Sequence, residues 1–329
     1  MIPENKKAAV NNALQLTFGS SEFEDIQELT AGLSSAMVFK IRVSGKPYLL
    51  RIITRTDAMS DPTLEYTCMK VAAEAGIAPG VLCADIEERI SIIDFIEAKP
   101  FPVDDAKLKM PDLLKRLHSL PPFSFRINYL DKIDEFVQKF QTVKIIPEEM
   151  ANALFPHYAK IRSIYPHDEH DMVACHNDLK PENTLFDGDR VWLVDWEAAF
   201  LNDRYLDLAI VANFVIRKDS DEKDYLEAYF GKEVTEYQYA RFFLMRQMLH
   251  FSYFVIFILF GKPDEPVDFN TPKPNFREFH DLIWAGKLSL ASMDNRVKYA
   301  LVHMEQLQHN LKLKRFEDSL AIVANHQSL

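Results

Sequence analysis

The stretch HNDLKPENTLFDGDRVWLVDWE, residues 176–197, holds the side chains with the clearest chemical use. Asp178 and Asn183 stand five residues apart, and Asp195 follows twelve residues after Asn183. Between them TLF and RVWLV read as two short strands, with Asp187-Gly188-Asp189 as a strong hairpin-turn signal. A hairpin returns the chain on itself, so the spacing predicts that Asp195 comes back beside Asn183. Two carboxylates and one amide then share a place. All are oxygen donors of the kind magnesium prefers, leaving positions for phosphate oxygens and water. Phosphoryl transfer asks for little more: a carboxylate to orient the attacking hydroxyl and accept its proton, and metal to neutralise the phosphates. In that chemistry Asp178 is the catalytic base, Asn183 and Asp195 hold Mg2+, and His176 braces the loop by hydrogen bonds. Cys175, next to His176, is set aside as a nucleophile, because adjacent side chains point apart and no third orienting group is visible.

The same run, continued by NDRYLDLA at 202–209, resembles the aminoglycoside phosphotransferase and choline kinase family. The resemblance covers most of the chain. It implies an α+β, two-lobed protein-kinase-like fold, with a small β-rich N-terminal lobe and a larger, mainly helical C-terminal lobe. It also implies ATP and Mg2+, and a hydroxyl on a small molecule as acceptor. HNDLKPEN alone is close to a protein-kinase catalytic loop, but other features differ. The metal Asp is followed by Trp-Glu rather than Phe-Gly, no APE sequence follows, and LNDRYLDLA comes at once. TAGLSSAMVF, at 30–39, has one glycine where a glycine-rich loop should be, so phosphate contacts there would come from Gly32, Ser34 and Ser35. Arg51, in YLLRII, takes the place of the expected third-strand lysine, and its fork can bridge phosphate oxygens and a carboxylate. Glu65 is its expected partner, with Asp61 as competitor. IIDFIEA, at 92–98, is the implied hinge, with backbone groups of Asp94, Phe95 and Ile96 facing adenine. Asp207 is implied to support the catalytic loop from below.

The acceptor pocket is drawn from aromatic and polar residues. Arg246, His250, Tyr253 and Phe257 fall on one helix face. Trp196 and Glu197 follow the metal Asp, and Trp284 is a more distant aromatic. Aromatics with a carboxylate make a cage for a protonated or quaternary amine. His118, within LLKRLHSL, reads as a satisfied core residue.

Several elements must position these groups. IQELTAG, AMVFKIRV and KPYLLRII read as three strands, the last two joined by a turn at 44–46. A helix follows, capped by Ser60 or Asp61, with Pro62 in its first turn, an apolar stripe of Leu64, Cys68, Val71, Ala72 and Ala75, and Gly76 at its end. VLCADIEE and ISIIDFIE complete a β-β-β-α-β-β order. The Pro-containing connector AKPFPVDD separates an N-terminal nucleotide-binding lobe, 1–98, from a catalytic and substrate-binding lobe, 99–329. In the latter, helices are expected around 111–120, 129–140 and 147–164 and through 203–329.

Composition bounds the partners. The 329 residues are 48% hydrophobic and 26% charged, as in ordinary globular proteins. The net charge of −11 disfavours nucleic acid and anionic membranes and favours a cationic small molecule. Three cysteines without metal-ligand spacing, and a start without an apolar leader, suggest a cytoplasmic setting. The apolar run at 247–261 reads as a buried helix, not a membrane span. The expected acceptor is a choline- or ethanolamine-type amino alcohol, with aminoglycoside or thiamine kinases as alternatives within the same chemistry. A nucleotide-binding pseudokinase acting through partners is the alternative outside it.

Overall fold

A computed structural model describes residues 1–29, 36–56, 60–261, 267–269 and 272–326. Gly32, Ser34 and Ser35 lie outside them. The chain forms two compact units, one of Met1–Phe101 with Glu182–Phe200, the other of Pro102–Pro181 with Leu201–Leu329. The division falls after Phe101 rather than after Ala98, and segment 182–200, read from sequence with the second lobe, groups with the first unit.

The first unit opens with a helix that the sequence reading did not find, α1 (Lys7–Phe18). Five strands and one helix follow in the expected order: β1 (Asp25–Leu29), β2 (Ala36–Val43), β3 (Lys46–Ile53), α2 (Thr63–Glu74), β4 (Val81–Asp85) and β5 (Ile90–Asp94). They make one antiparallel sheet in the order β1-β2-β3-β5-β4. The β2–β3 turn places Ser44 and Gly45 at φ 50° and 76°, the doubly left-handed geometry that matches strand twist. Strand side chains alternate between faces. On one face Phe39, Ile41, Leu50, Ile52, Ile90 and Ile92 form a core with Val10 and Leu14 of α1. Arg51, between Leu50 and Ile52, therefore belongs to the opposite face.

The buried stripe of α2 differs from the expected one. Glu65, Tyr66, Cys68, Met69 and Ala72 are buried, whereas Ala75 is exposed. The helix is turned so that a carboxylate faces inward, which is tolerated because that carboxylate meets a cation.

The second unit begins with α3 (Val103–Leu117), α4 (Tyr129–Val143), α5 (Glu148–Ile164) and the short strand β6 (Met172–Cys175). The expected hairpin is β7 (Thr184–Phe186) with β8 (Val191–Leu193), both in the first unit. The second unit resumes along β9 (Phe200–Asp203), which pairs with β6. It continues as α6 (Arg204–Val215), α7 (Asp219–Phe230), α8 (Glu236–Gly261), α9 (Phe276–Trp284), α10 (Met293–Asn310) and α11 (Lys314–His326). α6 is buried from Tyr205 to Val215, as expected of a helix apolar on nearly every side. Among the described residues α8 alone is long and apolar enough to cross a membrane by length and composition. It is instead largely buried, packed against α6, α10 and α11.

Candidate active site

The hairpin closes as its turn chemistry requires. Thr184 pairs with Leu193 and Phe186 with Val191. The Asp187 carboxylate accepts the amides of Asp189 and Arg190 at 2.9 and 2.8 Å and the indole N–H of Trp192 at 2.7 Å. Those donors hold its pKa down at about 2. At the open end the Val194 amide donates to the Asn183 carbonyl at 3.0 Å, so the backbone at Asn183 adjoins the residue that precedes Asp195. Asp195 itself sits at φ 66°, in the left-handed region, and its side chain caps nothing in the 3-10 turn that follows. A non-glycine residue held there is often a site of function.

Arg51 joins this group. Its guanidinium pairs with Glu65 and lies 3.8 Å from an Asp195 oxygen and 3.7 Å from a Glu197 oxygen. Asp61 is otherwise engaged, accepting the Thr63 amide at 2.8 Å at the start of α2. One cation thus faces three carboxylates, and the side-chain oxygens of Asn183 and Asp195 are hard donors of the kind that suits Mg2+. The cage drawn from Trp196 and Glu197 departs from this arrangement. Trp196 is 1% exposed with its indole N–H on the Leu193 carbonyl at 3.2 Å, and Glu197 faces Arg51. At the expected hinge the Asp94 amide donates to the Gly80 carbonyl at 2.9 Å, and the Lys40 ammonium lies over the Phe95 ring at 4.1 Å. The Asp94 N–H is therefore spent within the unit.

In the second unit the loop after β6 is held from beneath. Asp207, fully buried on α6, accepts the amides of His176 at 2.9 Å and Asn177 at 2.7 Å. Asn177 is left-handed, at φ 64°, and its side-chain oxygen accepts from Asn202 at 2.8 Å. The Asp178 carboxylate, about one-third exposed, pairs with Lys180 at 2.6 Å. His176 is fully buried, in keeping with a brace rather than a proton carrier. α6 is itself anchored: Asp203 caps it through the Tyr205 amide at 2.9 Å and accepts from the buried Arg241 at 2.9 Å. His118, Cys175 and Asp207 bring ligand-type atoms within 4.8 Å of one another. Each is already committed by hydrogen bonds: His118 to Tyr229 and Asp207, and the Cys175 thiol to the Asn202 carbonyl. Burial also pushes that thiol well above its usual range, so it stays protonated.

Of the residues expected to line an acceptor pocket, His250, Tyr253 and Phe257 sit in one aromatic and histidine cluster with residues of α10, whereas Trp196 and Glu197 belong to the first unit. His250 Nδ1 is 2.8 Å from His303 Nδ1, and Tyr253 packs against Phe257, Tyr299 and His303. Arg246 lies 3.6 Å from the buried Glu222. Trp284 packs at a tilt near Phe214, which touches His280 in turn. It also lines an open cleft of about 590 Å³ with Arg217, Arg277, Asp281 and Lys287. His250 is fully buried, so the polar groups of this face are turned into the packed interior.

The sequence profile of the phosphotransferase enzyme family matches residues 25–243. The chain belongs to that family. It is 29% identical to protein LicA of Haemophilus influenzae over 164 residues, 46% of this chain and 58% of LicA. It spans about half the length of the curated relatives it matches. Two solved structures share the fold. The choline/ethanolamine kinase family protein of Mesorhizobium loti aligns with a TM-score of 0.69 at 20% identity, over 97% of this chain and 99% of that one. Choline kinase LicA of Streptococcus pneumoniae aligns with a TM-score of 0.58 at 16% identity, over 92% and 100%. The expected α+β, kinase-like fold is thereby borne out.

Within this family member, some residues escaped the sequence reading. Lys180 stands two positions after Asp178, and only the loop conformation turns both side chains to the same place. Tyr229 reaches the loop's support from α7, 111 residues after His118, with no motif to announce it.

Proposed function

We propose that this chain transfers the γ-phosphoryl group of ATP to the hydroxyl of a small cationic amino alcohol of the choline or ethanolamine type. The observation that carries the reading is the anchored loop: Asp207 fixes the two amides immediately before Asp178, which presents a partly exposed carboxylate. Asp178 would accept the hydroxyl proton as the substrate oxygen bonds to the γ-phosphorus and the bond to the bridging oxygen of ADP breaks. Asn183 and Asp195 would hold Mg2+, which supplies charge neutralisation on the phosphates when bound. Arg51, fixed by Glu65, would hold phosphate oxygens through its fork, and Lys180 would steady the charge of the transferred group beside the base. The preference for a cationic acceptor is supported by the net charge of −11 and by the relatives named choline and ethanolamine kinases.

A coupled ADP-release assay with ATP and Mg2+ against choline, ethanolamine, thiamine and kanamycin tests the reading, with Asp178→Asn as control. One strong acceptor is expected among the first two. The variant should lose about 10²–10⁴-fold in kcat while its melting temperature and its stabilisation by ATP persist. Turnover that survives in Asp178→Asn would remove Asp178 from the mechanism. A response to kanamycin alone would move the acceptor class.

A further inference from the structure

We propose that Tyr229 is a positioning residue for the catalytic loop: its hydroxyl holds the His118 imidazole in the neutral form protonated on Nε2, which donates to Asp207. The kinetic consequence rests on the phosphotransfer reading above, whereas the proton placement rests on geometry alone.

Asp207 is the acceptor on which the loop hangs. Its Oδ1 takes the Asn177 amide at 2.7 Å, and its Oδ2 takes both the His176 amide at 2.9 Å and His118 Nε2 at 3.2 Å. An ionised carboxylate only accepts, so the proton between His118 and Asp207 belongs to Nε2. The other ring nitrogen, Nδ1, lies 2.7 Å from the Tyr229 hydroxyl. That oxygen also receives an N–H from Arg204 at 3.3 Å, and a guanidinium has donors only. Among the described residues the acceptor within reach of the phenol hydrogen is Nδ1, so the hydroxyl donates there and Nδ1 carries no hydrogen. Burial raises the Tyr229 pKa, so the hydroxyl keeps that hydrogen. Donation therefore runs one way, from Arg204 to Tyr229 to His118 to Asp207. An imidazolium would reverse the Tyr229 link and set two cations against one phenol oxygen.

The titratable groups around this chain come from four segments. α6 brings Arg204 and Asp207, α7 brings Tyr225 and Tyr229, β6 brings the protonated Cys175, and the turn before β6 brings Asp171, 3.0 Å from the Arg204 guanidinium. Of the two carboxylates, Asp207 is the one bonded to His118, while Asp171 is paired with Arg204. Without the Tyr229 hydroxyl, Nδ1 loses its donor, and a proton there is no longer opposed by the phenol hydrogen. An imidazolium pulls harder on Oδ2, the oxygen that also carries the His176 amide. The support two residues before Asp178 then weakens whenever His118 is charged.

Imidazole ¹⁵N–¹H NMR on the full chain tests the proton placement without any turnover. In the native protein His118 should show the neutral Nε2–H pattern from about pH 6 to about pH 8. In Tyr229→Phe that pattern should give way toward the acid end. The kinetic arm measures kcat and KM over the same interval. Tyr229→Phe should turn over about tenfold more slowly at the acid end, a difference of about 1.4 kcal/mol, approach native kcat at the alkaline end and keep its KM values. A Tyr229→Phe/His118→Gln double variant, which keeps an N–H donor but cannot titrate, should lose the new pH dependence. A native His118 found charged, or protonated on Nδ1, would overturn the proposal even if Tyr229→Phe does not fold. So would a Tyr229→Phe profile parallel to the native one. A native chain inactive on every acceptor, with the NMR pattern as described, would instead sink the phosphotransfer reading and leave the proton placement standing.

Discussion

Glu65 shows how one side chain sets another. It is buried on α2 and pairs with Arg51, which has two further carboxylates, of Asp195 and Glu197, within 3.8 Å. Removing one partner of a fully buried ion pair costs about 3–5 kcal/mol. Here the remaining carboxylates can take up part of the charge, so Glu65→Gln should lose about 2 kcal/mol in thermal or denaturant unfolding. Arg51 should then turn toward Asp195, and the KM for ATP should rise more than kcat falls. An unchanged KM with the expected loss of stability would make the pair purely structural. The residues of this group differ in how visible they are before folding. Asp178, Asn183 and Asp195 announce themselves by spacing, because a hairpin between the last two converts twelve residues of sequence into proximity. Lys180 and Tyr229 do not, since their roles depend on a left-handed loop residue and on a helix far along the chain.

At the scale of elements, the hairpin β7–β8 is fastened at its turn as well as by strand pairing. Asp187 accepts three hydrogen bonds there, each worth about 1 kcal/mol net. Asp187→Ala should therefore destabilise the first unit by about 1–3 kcal/mol. Because the same hairpin returns the chain from Asn183 to Asp195, the variant should also need more Mg2+ for half-maximal rate, read by metal titration. Asp187→Asn, which keeps an acceptor, should do less on both counts. Strands and this turn were legible in the sequence, since alternating β-branched residues and Asp-Gly-Asp carry their own geometry. Helix α1 was not, because only Val10, Ala13 and Leu14 of its twelve residues are buried and the stripe is too narrow to stand out. The face of α2 was misjudged for a related reason: hydrophobicity alone cannot foresee that Glu65 is buried once Arg51 stands opposite. The polar face of α8 was likewise legible as a pattern, but the pattern does not say that α10 covers it.

At the scale of the whole molecule, the histidine cluster ties stability to pH. Burial drives the pKa of His280 down to about 3 and those of His250 and His303 well below the ordinary histidine range, with Arg246 adding to the effect. In the unfolded chain each takes up a proton near about pH 6.5, and in the folded chain it does not. Below that pH the unfolded state binds more protons, so stability falls as pH drops. Each histidine contributes up to about 1.4 kcal/mol per pH unit until its folded pKa is reached. Above about pH 7 their contribution is constant. Melting temperature followed from neutral toward acid pH should show this decline, and His280→Phe should remove about one proton from the slope. A slope unaltered by that substitution would mean that His280 is not held neutral.

The first unit is discontinuous along the chain, with residues 102–181 of the second unit inserted between its two parts. A ribosome therefore delivers the five-stranded sheet well before it delivers the hairpin. At about 5–20 residues per second, the 99 residues from Phe101 to Phe200 take about 5–20 s to synthesise. Throughout that interval Arg51 and Glu65 exist on a nascent unit that lacks Asn183 and Asp195. The pair proposed to hold Mg2+ thus lies in the last segment of its own unit to be made, and it emerges only after the loop that carries Asp178 has left the peptidyl-transferase centre.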